Sequence, residues 1–162
     1  MSIMTRWLSD EEMRAWRGLV EGFIDVHASL DAELFDGHGI SEGEYAVLVQ
    51  LSEADDHRLR MCDLATKLHL SPSGLTRRID GLVRSGFVVR ETGPRDRRVA
   101  FAVLTDAGFA KLETAAPDHV AGVRRHLLDH LSPTQIRQLG NAFESLRRGR
   151  SAALNSAVPE AR

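Results

Sequence analysis

The 162-residue sequence has a single cysteine and no long run of apolar residues. Cys62 cannot form an intrachain disulfide, and no four-ligand Cys/His spacing typical of a zinc site occurs. The apolar runs last only a few residues, too short for a membrane-spanning helix. The first residues also lack the continuous apolar stretch of a secretory signal. We therefore expect a soluble cytoplasmic protein with neither a metal nor another cofactor.

The composition is otherwise that of an ordinary globular protein. Hydrophobic residues make up 43% of the chain and charged residues 27%, whereas aromatic residues make up only 6%. These proportions exclude wholesale disorder. The length fits one domain, with or without appended helices, and is sufficient to bury a sizeable core.

Charge is distributed unevenly along the chain, although the net charge is only −2. Residues 1–57 contain 3 Lys/Arg against 13 Asp/Glu, whereas residues 58–98 contain 10 against 4. Residues 99–162 contain 8 against 6. A basic middle segment in an acidic chain favours a local anionic partner such as a phosphate backbone, although a solvated basic face has the same composition.

The N-terminal third predicts a long amphipathic helix over about residues 9–35. Ser9 and Glu12 form a capping-box pattern at its start, and Gly37 and Gly39 mark a turn after it. Apolar residues and one histidine recur every three or four positions, the spacing of a helix-packing seam: Met13, Trp16, Val20, Phe23, His27, Leu30 and Leu34. A seam of this length indicates packing beyond the core of one subunit.

The middle of the chain predicts three shorter helices. Ser41 and Glu44 form a second capping box for a helix over about 41–53, and Glu53–Arg58 is predicted to be a loop. A short helix over 61–69 precedes another whose N-cap is Ser71 and whose first residue is Pro72. Leu75, Ile79 and Leu82 supply the buried face of that helix, and Gly86 ends it.

One strand pair and two more helices follow. Residues 87–89 and 99–104 are the only β-rich runs, and a polar segment separates them. Thr105 caps the next helix, which Pro117 should kink or break before it continues through Leu131. Ser132 and Gln135 then form a capping box for a last helix to about residue 148. The predicted fold is mostly α with a small β-hairpin wing (α+β), a winged helix-turn-helix with long N- and C-terminal helices.

The second helix of the predicted helix-turn-helix has a polar face suited to DNA. Ser73, Arg77, Asp80 and Arg84 project opposite its apolar face, with Thr76 and Arg78 on the flanks. Arginine can form a bidentate bond to guanine, and serine and threonine suit phosphates or base edges. An amphipathic helix with a solvated polar face would look the same in isolation. The helix, the turn, the wing and the basic segment together favour DNA recognition.

The sequences of the predicted recognition helix and wing resemble those of a known family. The run LSPSGLTRRI over residues 70–79, followed by Leu82 and Gly86, resembles the recognition helix of MarR-type bacterial regulators. Asp96-Arg97-Arg98 followed by Leu104-Thr105 matches the D-x-R…L-T pattern of their wing.

The resemblance covers about residues 9–148 and implies a DNA-binding regulator, usually a repressor. It implies an obligate homodimer that binds a pseudo-palindrome and is released by a small, often phenolic or anionic, molecule. The implied organisation is one domain over 1–148, followed by a flexible tail over 149–162. Within the domain it implies a DNA-binding lobe over about 41–104 and dimerisation helices over about 9–35 and 105–148.

The resemblance also assigns roles to individual residues of the recognition helix. It places Ser73, Thr76 and Arg77 at the major groove of double-stranded DNA. Ser71 and Arg78 complete the contacts expected from this helix.

The wing is expected to contact the DNA beside the recognition helix. The motif places Arg98 toward the minor groove, with Asp96 holding its guanidinium group. Arg95 and Arg97 lie in the same loop and are assigned to phosphate contacts. If Asp96 and Arg98 only formed a surface ion pair that shapes the turn, that pair would contribute little.

Trp16 and His27 are predicted to border the effector pocket. Both lie on the seam of the first helix, beside which members of the family bind their effectors. The expected ligand is a small aromatic or carboxylate compound, and Arg14 or Arg17 is available to an anion. The alternative is that Trp16 belongs to the dimer core and that His27 is a satisfied core histidine.

Other reactive side chains are interpreted as structural. Cys62 is expected to act as a small hydrophobic residue. His119, His126 and His130 have helical spacing, but without acidic or cysteine ligands nearby they favour a solvated or dimer-packed face over a metal site.

Two rival functional classes remain to be compared with a DNA-binding regulator. An enzyme is disfavoured because no phosphate-binding loop, nucleophile elbow or HExxH motif occurs. A winged helix used only for contacts with other proteins is the main alternative, and the basic excess over 58–98 argues against it.

Overall fold

A computed structural model describes residues 5–93, 96 and 98–156, with backbone only after residue 150. Within these residues the α-helices are α1 (Asp10–His38), α2 (Glu42–Ser52), α3 (Met61–Lys67), α4 (Pro72–Arg84), α5 (Asp106–His126) and α6 (Pro133–Ser156). The strands are β1 (Arg58–Arg60), β2 (Val88–Thr92) and β3 (Ala100–Leu104), and the short 3-10 helices are Asp55–His57 and Leu128–His130. None of the described helices has the length and apolar character needed to cross a membrane. The predicted mostly helical fold with a small β-wing is confirmed.

Helix α1 begins and ends through specific backbone hydrogen bonds. The Ser9 backbone N–H donates to the Glu12 carboxylate at 2.8 Å, and the Glu12 N–H donates to Ser9 Oγ at 3.3 Å. Hydrogen bonds from Ser9 lower the pKa of Glu12. The helix continues through Gly37, so the predicted turn begins later, at Gly39. Gly39 has φ of 66°, the left-handed conformation that glycine adopts without steric cost.

The sheet has three strands rather than the predicted two. β1 pairs antiparallel with β3, with Leu59 opposite Ala102. β2 pairs with the other edge of β3, so the strand order is β1-β3-β2. The prediction of a loop over Glu53–Arg58 is wrong at its end, because Arg58 begins β1. Three residues are too few to show the alternation by which a strand is recognised from sequence.

The core lies between the C-terminal part of α1, the helices α2 to α4, and the sheet. Leu75, Ile79 and Leu82 are almost completely buried, as predicted for the apolar face of α4. They belong to one cluster that holds residues from α1 to α5: Leu34, Ile40, Tyr45, Val47, Leu48, Leu51, Leu64, Ala65, Leu75, Ile79, Leu82, Val88, Ala102, Leu104, Leu112 and Ala115. The packing of α4 into this cluster determines which of its side chains face outward.

Helix α5 passes through its internal proline. Thr105 Oγ1 accepts the Gly108 N–H at 3.0 Å and donates to the Gly86 carbonyl at 2.8 Å, which confirms the predicted cap. Of the predicted kink or break at Pro117, the break does not occur, because α5 continues to His126, although it ends before the predicted Leu131. A proline removes one N–H donor from a helix, whereas the neighbouring turns keep theirs. Buried Ala115 and Gly122 on either side hold this helix against the rest of the fold.

The chain divides into two compact units, one up to Val123 and one from Arg124. In the second unit, the Ser132 N–H donates to Gln135 Oε1 at 2.8 Å and the Gln135 N–H donates to Ser132 Oγ at 3.3 Å. This confirms the predicted capping box. Helix α6 continues past the predicted end near 148 to Ser156, so the first part of the predicted tail is helical.

The predicted apolar seams are mostly exposed. On α1, Leu30 and Leu34 are buried, but the side chains of Trp16 and Phe23 are 56% and 60% exposed. On α6, Ile136, Phe143 and Leu146 are exposed as well. The N-terminal part of the α1 seam and these three residues of α6 are therefore left exposed among the described residues.

The close approach of α5 to the segment after α4 predicts a cost for any side chain at Gly108. An added Cβ would meet the Phe87 backbone carbonyl and would lie 2.8 Å from Leu104 Cδ1. We expect Gly108→Ala to lower the free energy of unfolding by about 1–3 kcal/mol, because a backbone group cannot move aside cheaply. Urea unfolding at a fixed protomer concentration measures the change.

The matched control is Gly37→Ala on α1, where an added Cβ meets nothing within 4 Å. It should leave the free energy of unfolding unchanged or raise it by up to about 1 kcal/mol. Equal stability of the Gly108→Ala protein and the wild type would contradict the packing at this position.

Candidate nucleic-acid interface

Helices α3 and α4 form a helix-turn-helix whose turn is closed by local hydrogen bonds. The Leu70 N–H donates to the Ala65 carbonyl at 2.9 Å, and His69 adopts a φ of 52° between them. Ser71 Oγ accepts the Gly74 N–H at 3.1 Å, so Ser71 is the N-cap of α4, as predicted. The Ser71 and Ser73 hydroxyls lie 3.2 Å apart. Ser71 therefore anchors the start of α4.

The N-terminal part of α4 presents the predicted recognition residues to solvent. Ser73, Thr76 and Arg77 are all exposed. Thr76 Oγ1 donates to the Pro72 carbonyl at 2.8 Å, a bond within the helix. Arg77 makes no hydrogen bond or ion pair with any residue that the structure describes. Its guanidinium group can therefore meet an external partner without breaking an existing contact.

Arg78 lies on a different side of α4 from Arg77. It is half-buried, and a Cβ added at Gly43 of α2 would lie 2.7 Å from its Cζ. Successive residues of a helix are about 100° apart, so the two arginines cannot share one face. The structure brings Ser73, Thr76 and Arg77 together, and it places Arg78 against α2.

The wing turn between β2 and β3 is held by backbone hydrogen bonds. The Gly93 N–H donates to the Val99 carbonyl at 2.8 Å, and the Val99 N–H donates to the Asp96 carbonyl at 3.1 Å. Arg98 is exposed on this turn. Arg95 and Arg97 lie outside the described residues.

The predicted grip of Asp96 on the Arg98 guanidinium is wrong. Asp96 Oδ1 instead accepts the backbone N–H of Arg98 at 2.9 Å. An aspartate commonly bonds the N–H two residues later, because its short side chain closes a turn there. Asp96 thus shapes the backbone that carries Arg98 and leaves the guanidinium group free of ion pairs with described residues.

Arg90 of β2 connects the wing to α4, a contact that the sequence analysis missed. Its Nη2 lies 2.8 Å from Asp80 Oδ1 and donates to the Thr76 carbonyl at 3.3 Å. From the sequence, Asp80 is predicted only to be one polar member of the outward face of α4. The available signal was its negative charge among the arginines of α4, which requires a positive partner from another element.

Arg58 makes a second contact across the sheet. Its guanidinium carbon lies 3.7 Å from the centre of the Phe101 ring, and Nη2 lies 3.2 Å from Glu91 Oε2. These contacts join β1 to both other strands through one side chain. Part of the basic excess over residues 58–98 is therefore structural rather than available to a partner.

Trp16 and His27, the two residues predicted to border an effector pocket, are not in contact with each other. Trp16 and His27 lie about three helical turns apart on α1. A surface groove near Trp16 is lined by α1 residues alone, Asp10, Met13, Arg14, Arg17, Gly18 and Glu21, and excludes both predicted residues. His27 Nδ1 instead lies 2.7 Å from Glu42 Oε2 of α2, and its ring packs on Phe23 with centroids 4.0 Å apart.

His119 of α5 joins the same region. Its ring lies against Tyr45 with centroids 4.5 Å apart, and its Nδ1 is buried without a hydrogen-bond partner among the described residues. Burial lowers the pKa of His119, an effect that nearby Glu42 opposes and His27 reinforces. His27, Glu42, Tyr45 and His119 therefore form a polar cluster where α1, α2 and α5 meet, which we call the histidine cluster.

The other reactive side chains occupy different places. Cys62 was expected to act as a small hydrophobic residue, but it is exposed, and its Sγ lies 3.6 Å from Asp63 Oδ1. The predicted shared face of His119, His126 and His130 is also wrong, because α5 ends at His126 and His130 lies in the following 3-10 helix. No group of three or more potential ligands among the described residues could hold a metal ion.

Comparison with known proteins places this interface in a family. The model of the MarR family matches residues 40–100, which include α2 to β2 and the wing turn. The repressor YetL of Bacillus subtilis is 36% identical over 115 residues, which cover 69% of this chain and 69% of YetL.

Solved structures share both the sequence and the fold. AbsC of Streptomyces coelicolor, a MarR-family regulator, is 38% identical with a TM-score of 0.82, covering 91% of this chain and 99% of AbsC. Sco3205 from the same organism was solved in complex with DNA and is 36% identical, with a TM-score of 0.85. The match covers 91% of this chain and 92% of the Sco3205 chain. The chain belongs to the MarR family of winged helix-turn-helix transcriptional regulators.

Proposed function

We propose that this chain is a cytoplasmic DNA-binding repressor that acts as a homodimer and is released by a small molecule. The observation that carries the proposal is the exposed face of α4, where Ser73, Thr76 and Arg77 project beside a wing that carries Arg98. The DNA complex of Sco3205 and the repressor YetL support the DNA-binding and repressor parts.

The exposed residues match the chemistry of the two DNA grooves. A guanidinium group such as that of Arg77 can bond two acceptors of guanine in the major groove, and hydroxyl groups suit phosphates or base edges. Arg98 on the wing turn suits the minor groove, whose negative potential attracts arginine where the groove is narrow. Arg95 and Arg97 are proposed phosphate contacts.

The exposed seams support a homodimer. Large apolar side chains such as Trp16 and Phe23 on α1 and Phe143 on α6 lie uncovered, and contiguous exposed apolar surface marks interaction sites. A second copy offers the same seams and can cover them. A symmetric dimer would bind a pseudo-palindrome whose half-sites lie about 10–10.5 base pairs apart, or a multiple of that distance.

The function is tested by a mobility-shift assay on duplex DNA from upstream of the protein's own gene. The proposal predicts a shift at moderate salt that survives excess competitor DNA, with affinity falling as salt rises. The alternative, a winged helix that contacts only proteins, predicts no shift of any duplex. Such a result would contradict the proposed function.

The effector is proposed to bind beside α1, with Trp16 and His27 at the edges of its pocket. Because Trp16 is exposed and lies far along α1 from His27, a second protomer would have to complete such a pocket. The expected ligand is a small aromatic or carboxylate compound, for which Arg14 or Arg17 is available. Release requires that the ligand bind more tightly to the dimer that does not fit DNA.

Arg77→Ala should weaken binding to the cognate duplex by about 1–3 kcal/mol and relax the preference at one base pair. The reason is that Arg77 lies at the exposed start of α4 and its guanidinium group has no partner among the described residues. Fluorescence anisotropy with cognate, singly substituted and random duplexes measures both effects.

The matched control is Arg84→Ala, at the last residue of the same helix. It should weaken binding to cognate and random duplexes equally, as loss of a phosphate contact does. If Arg77→Ala also reduces both affinities equally, Arg77 contacts phosphate rather than a base.

Two substitutions of Asp96 separate its backbone hydrogen bond from its charge. Asp96→Asn keeps an oxygen that can accept the Arg98 N–H, whereas Asp96→Ala does not, and both remove the same negative charge. We expect Asp96→Ala to bind the cognate duplex about 0.5–1.5 kcal/mol more weakly than Asp96→Asn, the contribution of one hydrogen bond. Equal affinities of the two variants would contradict the role of this bond.

The effector site is tested with salicylate on a protein whose remaining tryptophan is Trp16. In a Trp7→Phe background, salicylate should change the fluorescence and release the duplex over the same concentration range. His27→Ala, or Trp16→Phe in the wild-type protein, should raise the concentration required for release about tenfold, equivalent to about 1.4 kcal/mol. If both variants remain dimeric, bind DNA and respond like the wild type, the pocket lies elsewhere.

A further inference from the structure

The geometry points to Arg90 as a positioning residue that sets the wing relative to the recognition helix α4. The inference rests on the proposed function, because it assigns Arg90 a part in DNA binding. Arg90 lies in the middle of β2, opposite Ala102 of β3, and β2 leads directly into the wing turn that carries Arg98. Its side chain reaches across to α4.

One nitrogen of Arg90 contacts two successive turns of α4. Nη2 lies 2.8 Å from the Asp80 carboxylate and 3.3 Å from the Thr76 carbonyl oxygen that it donates to. Thr76 and Asp80 are four residues apart, so they lie one above the other on the helix. A side chain that bonds both resists sliding of β2 along α4 as well as separation of the two elements.

The bonded turns are those that carry the recognition face. Thr76 is itself one of the three exposed residues proposed at the major groove, and Arg77 follows it directly. The strand on the other side of the contact leads to Arg98. Arg90 therefore fixes the distance between the major-groove and minor-groove contacts, which must fit adjacent grooves of one duplex.

The Arg90–Asp80 ion pair is partly exposed, so its loss should affect DNA affinity rather than the stability of the fold. The side chains of Arg90 and Asp80 are 39% and 43% exposed, and ion pairs this exposed contribute little to the stability of a fold. The hydrophobic core and the β2–β3 ladder keep β2 folded into the sheet without it, whereas the Arg90 contacts restrain where β2 lies along α4. Loss of Arg90 should thus reduce DNA binding far more than the free energy of unfolding.

The competing explanation is that Arg90 binds a DNA phosphate directly. Substitution of Asp80 distinguishes this explanation from the positioning role. Removal of Asp80 would free Arg90 for a phosphate and so maintain or tighten DNA binding. If Arg90 acts by positioning, removal of Asp80 breaks the same link and must weaken binding as removal of Arg90 does.

The experiment compares Arg90→Ala, Asp80→Ala and the double variant with the wild-type protein on cognate and random duplexes. We expect each single variant to lose about tenfold in affinity for the cognate duplex and little for random DNA. The double variant should lose no more than either single variant, because both remove one link. Arg84→Ala, which removes an exposed arginine of the same helix, is the control for loss of positive charge.

Two further readouts exclude a merely structural role. Arg90→Lys retains the charge but cannot reproduce the planar guanidinium, so it should recover only part of the cognate affinity. The Tm of Arg90→Ala should stay close to that of the wild type. A fall in Tm as large as that of Gly108→Ala would overturn the positioning role in favour of a structural one.

The remaining outcomes are also decisive. Tighter or unchanged binding by Asp80→Ala, together with weaker binding and a salt slope reduced by about 0.9 in Arg90→Ala, would make Arg90 a phosphate contact. Unchanged cognate affinity of Arg90→Ala would overturn the inference while the proposed function stands. Failure of the wild-type protein to bind any duplex would overturn both.

Discussion

The burial of one face of α4 is the constraint on which the rest of the interface depends. Leu75, Ile79 and Leu82 are inserted into the core, so the helix has only one rotation about its axis that keeps them from water. That rotation turns Ser73, Thr76 and Arg77 outward and turns Arg78 toward α2. The chemistry of the exposed face follows from the packing of the hidden one.

Much of this arrangement could be predicted because it depends on residues that are close together in the sequence. The caps of α1, α2, α4 and α6 each depend on residues within four positions, and the apolar face of α4 follows from its spacing. The features that could not be predicted depend on contacts between distant segments. β1 is three residues long and exists because β3 offers it an edge, and the Arg90–Asp80 contact joins a strand to a helix. Asp96 was paired with the wrong group of Arg98, since a sequence motif does not distinguish a backbone N–H from a guanidinium group.

The first turn of α2 provides a physical connection between α1 and the recognition helix. Glu42 bonds His27 of α1, and its backbone N–H donates to Asp31 Oδ1 of the same helix at 2.7 Å. The next residue, Gly43, lies beneath Arg78 of α4. A ligand that changes the position of α1 at the histidine cluster would therefore act on α4 through this turn of α2.

Footprinting can establish whether α4 enters the major groove while the wing reaches the adjacent minor groove, as proposed. Duplexes are first selected from a random pool with the wild-type protein. The most enriched sequence is then probed by hydroxyl-radical cleavage and by methylation interference at guanine N7. We expect a pseudo-palindrome with one interfering guanine cluster in each half-site, flanked by protected minor-groove sugars on the same face of the duplex. Selection without enrichment of any sequence, or interference confined to a single half-site, would contradict this expectation.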